Sequence, residues 1–243
     1  MRCINNSNTD IYFNLAAEEY LIKNASEAVF MLWQNEPCVV IGRHQDIRAE
    51  ANLDFIRENE IKIARRYSGG GTVYQDEGNL NLTFIEFNGN PDFEKYTLQM
   101  LEILSKAGIQ AQADARRGLY IDGKKISGSA QYIRGNKTLY HATLLYSTNL
   151  NKLTSTLETS NTYSELQESS KYVKSVKSAV TNITDHLTYP LSIDEFKKLI
   201  INYFINETRA NSFHPFSQEE ITAINHLKQE KYATPSWNFQ AKQ

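Results

Sequence analysis

Hydrophobic and polar positions alternate along this chain with two spacings, which separate predicted strands from predicted helices. In "LNLTFIEF" (80–87) the apolar residues fall on one face and Asn81 and Thr83 on the other, and this period of two predicts a half-buried strand. The apolar runs "AVFMLWQ" (28–34) and "PCVVIG" (37–42) predict two more strands, joined by a turn at "NE". Apolar residues spaced three and four apart predict helices over 12–23, 47–60 and 93–107.

Turn and capping signals mark where several elements begin and end. The Asp-Gly pair in "IDGK" (121–124) predicts a tight hairpin, and "RGNK" (134–137) predicts a second tight turn. Two S-x-x-E patterns, beginning at Ser192 and Ser217, are capping boxes at the start of amphipathic helices. Because strands and helices mix without a regular βαβ rhythm, the sequence predicts an α+β fold with a mixed, largely antiparallel sheet flanked by helices.

Composition narrows the classes of function. Of the 243 residues, 41% are hydrophobic and 22% charged, and the formal net charge is −2, so the chain can bury a core without attracting nucleic acid in bulk. Cys3 and Cys38 lie far apart without metal-ligand spacing, which argues against a disulfide framework. No signal-peptide core and no apolar run of roughly 18 residues is present. We therefore expect a cytoplasmic protein with neither a nucleic-acid nor a membrane partner.

Chemistry concentrates in "RRYSGGGTVYQDEGN" (65–79). Three consecutive glycines let the backbone adopt positive φ, and successive N–H groups in such a turn can converge on an anion. Arg65 and Arg66 precede the loop on a strand and point to opposite faces, so only one of them can reach its ligand. The loop is neither a P-loop nor a dinucleotide fingerprint, because GxxxxGK[ST] is absent and a strand-like "TVY" follows. These residues leave two interpretations open, a flexible turn and an anion cradle.

Two further segments carry candidate residues. In "GLYIDGKKISGSAQ" (118–131), Lys124 and Lys125 point to opposite faces of a strand, and small residues follow that leave room for a ligand beside an inward ammonium. The alternative is a solvated lysine pair on a hairpin. In "LYHATLLY" (139–146), His141 lies in an alternating strand, where a lone histidine is more often structural than catalytic.

Together these segments resemble the lipoate-protein ligase family. The family pattern RRxSGGGxVxHDxGNxxxxF is matched from Arg65 onward, followed by "KISGSA" (125–130), "HATLL" (141–145) and "SVKSAVTNI" (175–183). "NEPCVVIGRHQD" and "KYATPSWNF" are also similar to family segments, so the resemblance covers nearly the whole chain in order.

The resemblance implies a fold similar to the class II biotin/lipoate protein ligase catalytic domain. It also implies a two-step reaction, in which lipoate and ATP with Mg²⁺ give lipoyl-AMP and the lipoyl group then passes to a lysine. ATP, Mg²⁺ and lipoate are then co-substrates, and no permanently bound cofactor is expected. The implied partners are apo lipoyl domains of 2-oxoacid dehydrogenases or the glycine cleavage H protein.

The motif match also implies roles for individual residues. Lys125 is the catalytic residue, a fixed cation that contacts both the lipoyl carboxyl and the α-phosphate. Arg66 binds the nucleotide and the lipoyl carboxyl, since its planar fork suits paired oxygens. Asp76 and Asn79 hold the loop or a magnesium-bound water, and His141 contacts the lipoyl pocket or the loop; metal ligands are not identified. The nucleotide is lined by the backbone of Gly71, Thr72, Val73 and Tyr74. A polar segment that closes over the adenylate contains Lys171, Lys174 and Lys177.

The sequence departs from the family pattern in two places. Gln75 stands where the pattern usually has histidine, and glutamine cannot titrate near neutral pH. Family ligases commonly carry an accessory domain after the "WNF" segment, whereas this sequence continues for four residues. We therefore expect one catalytic domain over 1–243 without the accessory domain. A half-enzyme that forms the adenylate and needs a separate accessory chain is an alternative.

Other functions on the same fold remain open. A lipoyl or octanoyl transferase would need a thiol nucleophile, yet 147–161, where an octanoyl transferase would carry its cysteine, has none. Cys38 lies in an apolar strand and is interpreted as a core thiol. A biotin ligase would carry a GRGRxGR-like loop, which "SGGGTV" does not match. A lipoate- or adenylate-binding paralogue without turnover is the non-enzymatic alternative. Neither the acyl chain nor the acceptor can be deduced from these residues.

Overall fold

Two β-sheets lie on opposite sides of one helix in the computed structural model, which describes residues 1–87, 92–158, 174–208 and 213–239. The large sheet has the strand order β1-β2-β6-β10-β9-β8-β7, and all its pairs are antiparallel except β1 with β2. Its strands are β1 Arg2–Asn5, β2 Val29–Trp33, β6 Asn79–Phe87, β7 Gln112–Ala113, β8 Leu119–Ile121, β9 Lys124–Arg134 and β10 Lys137–Leu145.

The small sheet has the order β4-β3-β5, from β3 Cys38–Ile41, β4 Lys62–Arg65 and β5 Val73–Gln75. Strands β2 and β3 are neighbours in sequence but belong to different sheets, so the predicted "NE" turn crosses between the sheets instead of closing a hairpin. Strand β4 ends at Arg65 and β5 begins at Val73, so the small sheet holds both ends of the glycine loop.

Helix α1, Ile11–Asn24, fills the space between the sheets and is buried on nearly every side. It packs against Met31 and Ile85 of the large sheet, and against Val40 and Ala64 of the small one. This position explains why apolar residues occur on every side of the helix, and why its buried polar residues need internal partners.

Helices α4, Phe93–Lys106, and α6, Ile193–Thr208, cover the other face of the large sheet. Aromatic rings join the layers: Phe30 stacks on Phe204, and Phe84 on Tyr96, with centroid separations of 4.0 and 4.5 Å. The remaining helices are α2 Ile47–Glu50, α3 Leu53–Glu58, α5 Leu150–Leu157, α7 Gln218–Leu227 and α8 Pro235–Phe239, with a 3₁₀ turn at Ile183–His186 and a π turn at Lys228–Tyr232.

The predicted α+β class with a largely antiparallel sheet flanked by helices is confirmed. The hairpin at "IDGK" is confirmed as well, since Asp122 and Gly123 both adopt positive φ, 49° and 76°, as a tight two-residue turn requires. Both capping boxes form, at Ser192 and at Ser217. Among the described residues, no helix has the length and apolar character needed to cross a membrane.

Two local predictions were wrong. Strand β6 is not half-buried, because α1 and β5 cover its polar face, and Asn81 and Thr83 are only 2% and 0% exposed. The helix predicted over 47–60 is two short helices, because the Asn52 side chain accepts a hydrogen bond from the Phe55 N–H and starts a new helix there. The polar segment "SELQESSKYVKSVKS" (164–178) also predicts a mobile loop, and residues 164–173 of it lie outside the described residues.

Candidate active site

The glycine loop is held from below by Arg66. Its guanidinium is buried and donates to the carbonyl oxygens of Gly69 and Gly71, at 2.7 Å each from Nη2, and to that of Val40. Its Nε–H is shared between the Ser68 hydroxyl and the Gly69 carbonyl. With these carbonyls turned toward Arg66, the loop is an ordered turn over a buried cation. One of the two Nη1 hydrogens has no acceptor among the described residues and can serve a ligand.

Arg65 points the other way, as the strand alternation predicts. Its guanidinium is fully buried and donates to the carbonyl oxygens of Gly42, Gln45 and Trp237, between 2.7 and 3.0 Å. It thereby fastens the C-terminal helix α8 and the 42–46 loop to the end of β4. That loop lies directly on the glycine loop, since a Cβ on Gly42 would overlap the Gly70 carbonyl.

Segment 174–181 packs on the glycine loop through Ser175. The Ser175 hydroxyl accepts hydrogen bonds from the Thr72 N–H at 2.8 Å and from the Gln45 side chain at 3.0 Å. The buried Glu50 carboxylate accepts the Ser175 N–H. A Cβ on Gly71 would lie 3.0 Å from the Ser175 hydroxyl oxygen, so glycine permits this close packing.

The same segment reaches Lys125 on strand β9. The Lys125 N–H donates to the Ala179 carbonyl at 2.8 Å, and its carbonyl accepts the Thr181 N–H at 3.1 Å. Lys124 is exposed and Lys125 half-buried, in agreement with the predicted opposite orientations. Segment 174–181 therefore joins the glycine loop to the strand that carries the candidate catalytic lysine.

A β-bulge orients the Lys125 side chain. Between Leu119 and Tyr120, strand β9 advances two residues while β8 advances one, which brings Lys125 and Gly128 onto one face. The Lys125 ammonium lies 3.7 Å from the position a Cβ on Gly128 would take, and its Cε lies 3.3 Å from that of Gly118. No residue that the structure describes forms a hydrogen bond or ion pair with this ammonium, and the Asp114 carboxylate interacts with it electrostatically at longer range. A cation beside small residues is thus available to an anionic ligand.

His141 joins the glycine loop to helix α1. Its Nε2 lies 2.9 Å from the Ser68 hydroxyl, and its Nδ1 lies 2.9 Å from the Glu18 carboxylate. The loop also touches β9, because a Cβ on Gly70 would lie 3.5 Å from that of Ala130, the register partner of His141. Of the predicted residues, His141, Arg66 and the glycine loop are therefore brought together.

The predicted residues after the glycine loop have structural contacts. Asn79 is buried, and its Oδ1 accepts the Asp76 N–H and the Thr148 hydroxyl. Asp76 accepts the N–H groups of Gly78 and Asn149, and thus holds the turn against the start of α5. Contact of Asn79 with a nucleotide, and of Asp76 with a magnesium-bound water, stays a prediction.

Tyr74 and Val73 belong to β5. The Tyr74 ring packs on the outer face of the small sheet with Val39 and Ile41, so only its backbone could line a nucleotide. Val73 contacts the core between the sheets. Lys174 and Lys177 are exposed, and Lys171 lies outside the described residues.

Gln75, the departure from the family pattern, belongs to a buried neutral network. Its Oε1 accepts from the Asn35 amide at 2.5 Å, and its Nε2 donates to Asn81 at 2.8 Å and to the Thr143 hydroxyl at 2.9 Å. Every group in this network is uncharged, and the glutamine amide satisfies both donors and acceptors. The structure therefore assigns Gln75 a packing role that needs no proton transfer.

Gln75→Glu should destabilise the fold in a pH-dependent way. Burial will raise the pKa of the introduced carboxyl above its unfolded value, so the folded protein keeps a proton that the unfolded chain releases. Stability relative to the parent should fall as pH rises above about 4, with a loss of about 1–3 kcal/mol at pH 7. Urea unfolding at pH 5 and pH 8 measures both values. Gln112→Glu, the same change at an exposed strand position, is the control, and equal losses in both variants would contradict the buried network.

The sequence did not single out four residues that build the site. Glu18, Gln45, Glu50 and Ser175 are polar residues in ordinary helix, loop and segment positions. Only Gln45 and Ser175 could have been identified from the sequence, because both lie in segments that resemble the family. The two glutamates could not, since a buried carboxylate on a helix looks like a surface residue until its neighbours are known.

The two-sheet fold carries an ordered glycine loop over the buried Arg66, and segment 174–181 joins that loop to the strand of Lys125. This arrangement is suited to an enzyme that binds an anionic substrate. A comparison with family models extends this. Residues 10–205 match the model described as lipoyl protein ligase A/B catalytic domain, and the chain belongs to that family. The predicted family and the assignment to ligases are confirmed.

Similar proteins of known name support the same family. The chain is 36% identical to lipoate-protein ligase 1 of Staphylococcus aureus over 98% of this chain and 73% of that protein. It is 39% identical to mitochondrial lipoyl amidotransferase LIPT1 of Mus musculus over 72% of this chain and 48% of that protein.

Two solved structures superpose on nearly the whole chain. A bi-partite lipoate protein ligase from Thermoplasma acidophilum matches with a TM-score of 0.83 and 25% identity, over 100% of this chain and 97% of that one. A lipoate-protein ligase A bound with ATP matches with a TM-score of 0.81 and 25% identity, over 99% of each chain.

Proposed function

We propose that this chain is an ATP-dependent lipoate-protein ligase. It activates lipoate to lipoyl-AMP with release of pyrophosphate, and it transfers the lipoyl group to a lysine of an acceptor lipoyl domain. The similar lipoate-protein ligases and the ATP-bound solved structure support the substrates. The Lys125 ammonium carries the proposal, because it forms no hydrogen bond or ion pair with a described residue and lies on the strand that segment 174–181 joins to the glycine loop.

The first half-reaction requires two anions to meet. The carboxylate of lipoate must approach the α-phosphate of ATP, and the repulsion between them is largest where water is excluded. A fixed cation between them lowers that barrier, and it is more effective when it is preorganised. Lys125 can fill this role because the bulge and the two glycines around it leave its ammonium available.

The glycine loop supplies the other side of the site. In the proposed complex the backbone from Gly71 to Tyr74 lines the nucleotide, and Arg66 lies beneath it with one N–H available to a carboxyl or phosphate oxygen. His141 is proposed to contact the lipoyl pocket, and its contact with Ser68 supports a position next to the loop. Segment 174–181 then orders both halves at once, because it contacts the Thr72 N–H and the Lys125 backbone.

Magnesium is proposed to enter with ATP. Mg²⁺ is commonly held by substrate phosphates with one or two carboxylates. Across the described ranges, no group of three His, Cys, Asp or Glu side chains could hold a metal ion. An ion held mainly by the phosphates of the nucleotide is compatible with the described residues.

The proposed acceptors are apo lipoyl domains of 2-oxoacid dehydrogenases or the glycine cleavage H protein. One similar structure comes from an archaeal lipoylation system with a bi-partite lipoate protein ligase and its E2 lipoyl domain, which supports both a lipoyl-domain acceptor and a separate accessory chain. In that second form of the proposal, the present chain forms the adenylate and needs the accessory chain for transfer.

Intact-mass analysis of an apo lipoyl domain tests the proposal. Incubation with the protein, lipoate and MgATP should add one lipoyl group, and omission of ATP should prevent it. Formation of lipoyl-AMP with an unmodified acceptor would select the form that needs an accessory chain. Absence of both the adenylate and the modified acceptor would contradict the proposal.

A transferase that uses no ATP is the second candidate, and the similarity to a lipoyl amidotransferase is the observation that favours it. An acyl-thioester route would need a reactive thiol. Cys3 and Cys38 are both 0% exposed, and burial raises the pKa of the Cys38 thiol well above its ordinary value. Neither thiol is suited to nucleophilic attack.

The Cys3→Ala/Cys38→Ala protein should therefore keep its lipoylation rate within about threefold. It should lose roughly 1–3 kcal/mol of stability, because two buried sulfurs leave small cavities in the core. Lipoylation rate and urea midpoint are measured together. Loss of transfer in a variant that still unfolds cooperatively would favour the thioester route instead.

A further inference from the structure

A buried carboxylate on helix α1 has a set of partners that the proposed reaction does not yet use. Glu18 is 4% exposed, and its Oε1 accepts the Thr83 hydroxyl at 2.6 Å. Both of its oxygens lie within 3.1 Å of His141 Nδ1. An ionised carboxylate can only accept hydrogen bonds, so Nδ1 carries the imidazole proton.

The position of the imidazole proton also determines the direction of the hydrogen bond between His141 and the glycine loop. With its proton on Nδ1, a neutral His141 accepts at Nε2, and the Ser68 hydroxyl therefore donates to it. The Ser68 oxygen in turn accepts the Nε–H of Arg66 at 3.1 Å. Four side chains from three parts of the fold thus have one consistent set of donors and acceptors.

The charges along this chain of contacts also balance. Burial lowers the pKa of the Arg66 guanidinium to about 10, and the Glu18 carboxylate opposes that shift. Glu18 and Arg66, buried at the two ends of this set of contacts, carry side chains of opposite charge. A buried cation without such a partner would be costly in a water-excluded site.

We propose that Glu18 is a positioning residue for the ligation reaction. Through His141 and Ser68 it fixes the Arg66 guanidinium and, with it, the conformation of the glycine loop that receives lipoate and the nucleotide. The inference rests on the proposed function, because its effect is on adenylate formation. Glu18 belongs to none of the matched motifs. In this proposal it orients Arg66, Ser68 and His141, which do belong to them.

The geometry of Ser68, His141 and Glu18 also matches a nucleophilic serine with its base and orienting carboxylate. Two observations favour positioning. The Ser68 oxygen accepts a hydrogen bond from a guanidinium, which draws electron density away from a nucleophile. Ser68 is also only 1% exposed, which leaves little room for an acyl group on its oxygen.

Glu18→Gln, compared with Glu19→Gln, tests the proposal. Glu19 is the adjacent buried glutamate, and it binds Lys23, Lys231 and Tyr232 instead of His141. Both variants lose a buried charge on the same helix, so a purely structural effect will appear in both. Adenylate formation is followed as lipoate-dependent exchange of pyrophosphate into ATP, and the His141 tautomer is read from imidazole ¹⁵N chemical shifts, with His141→Gln for assignment.

Glu18→Gln should lower kcat/KM for lipoate roughly 10- to 100-fold, since small misplacements of a site cost that much. It should also replace the Nδ1–H tautomer by a mixture, because an amide can donate as well as accept. Glu18→Asp, which keeps the charge, should restore part of the rate. Glu19→Gln should keep kcat/KM within about threefold and the tautomer unchanged, although it is less stable.

Wild-type kinetics in Glu18→Gln, or equal rate losses in both glutamate variants, would overturn the proposal. An acyl adduct on Ser68, found by peptide mass after reaction, would overturn it in favour of a nucleophile. Absence of lipoate-dependent exchange in the unsubstituted protein would instead overturn the proposed function, and the positioning role would fall with it.

Discussion

Lys125→Ala should reduce lipoyl-adenylate formation by roughly 10²- to 10³-fold while the protein stays folded. A preorganised charged donor at a developing negative charge contributes about 2.7–4 kcal/mol to transition-state stabilisation. Lys125 is proposed to lie between the lipoate carboxylate and the α-phosphate, and no hydrogen bond or ion pair with a described residue competes for its ammonium. Because it makes no described side-chain hydrogen bond or ion pair, its removal should change stability by less than about 1 kcal/mol.

Lys124→Ala is the matched control for this prediction. The two lysines are adjacent and carry the same charge, but Lys124 is exposed on the other side of β9. Its removal should leave the rate of pyrophosphate exchange within about twofold. A Lys125→Ala protein that forms lipoyl-AMP at the wild-type rate would show that the bulge aims this lysine at no substrate.

Arg66→Ala should abolish adenylate formation and destabilise the fold by about 3–5 kcal/mol. The substitution leaves the carbonyl oxygens of Val40, Gly69 and Gly71 without their donor, and it leaves the Glu18 carboxylate without its counter-charge. Arg66→Lys should recover only part of the stability, because one ammonium cannot reproduce the planar fork that bridges these acceptors.

Urea unfolding and pyrophosphate exchange measure the two effects of Arg66 separately. Arg57→Ala is the control, since Arg57 forms an ion pair with Asp54 in which both side chains are more than three-quarters exposed. That change should alter stability by no more than about 1 kcal/mol. An Arg66→Ala protein as stable as Arg57→Ala would contradict the view that Arg66 holds the loop.

The amino-acid sequence predicted the elements of this site better than their surroundings. Alternation along a strand was sufficient to separate Lys124 from Lys125 and Arg65 from Arg66, because side chains in a strand point to opposite faces whatever covers them. The bulge that brings Lys125 onto one face with Gly128 could not be predicted, since it depends on how β8 pairs with β9.

The burial of individual polar side chains could not be predicted from the local sequence pattern. Asn81 and Thr83 looked solvent-facing by alternation, but helix α1 and β5 cover them, and Gln75 and Glu18 provide their hydrogen bonds. The same misjudgement made Gln75 look like a chemical departure, whereas its partners show a neutral packing network. These contacts join residues far apart in sequence, so they follow from the tertiary fold alone.

The most direct test of the central claim is exchange of labelled pyrophosphate into ATP without any acceptor domain. We expect exchange that requires lipoate and MgATP together, and that is lost in Lys125→Ala but retained in Lys124→Ala. Exchange that proceeds without lipoate, or none in the unsubstituted protein under conditions where it is folded, would contradict the assignment of this site to lipoate activation.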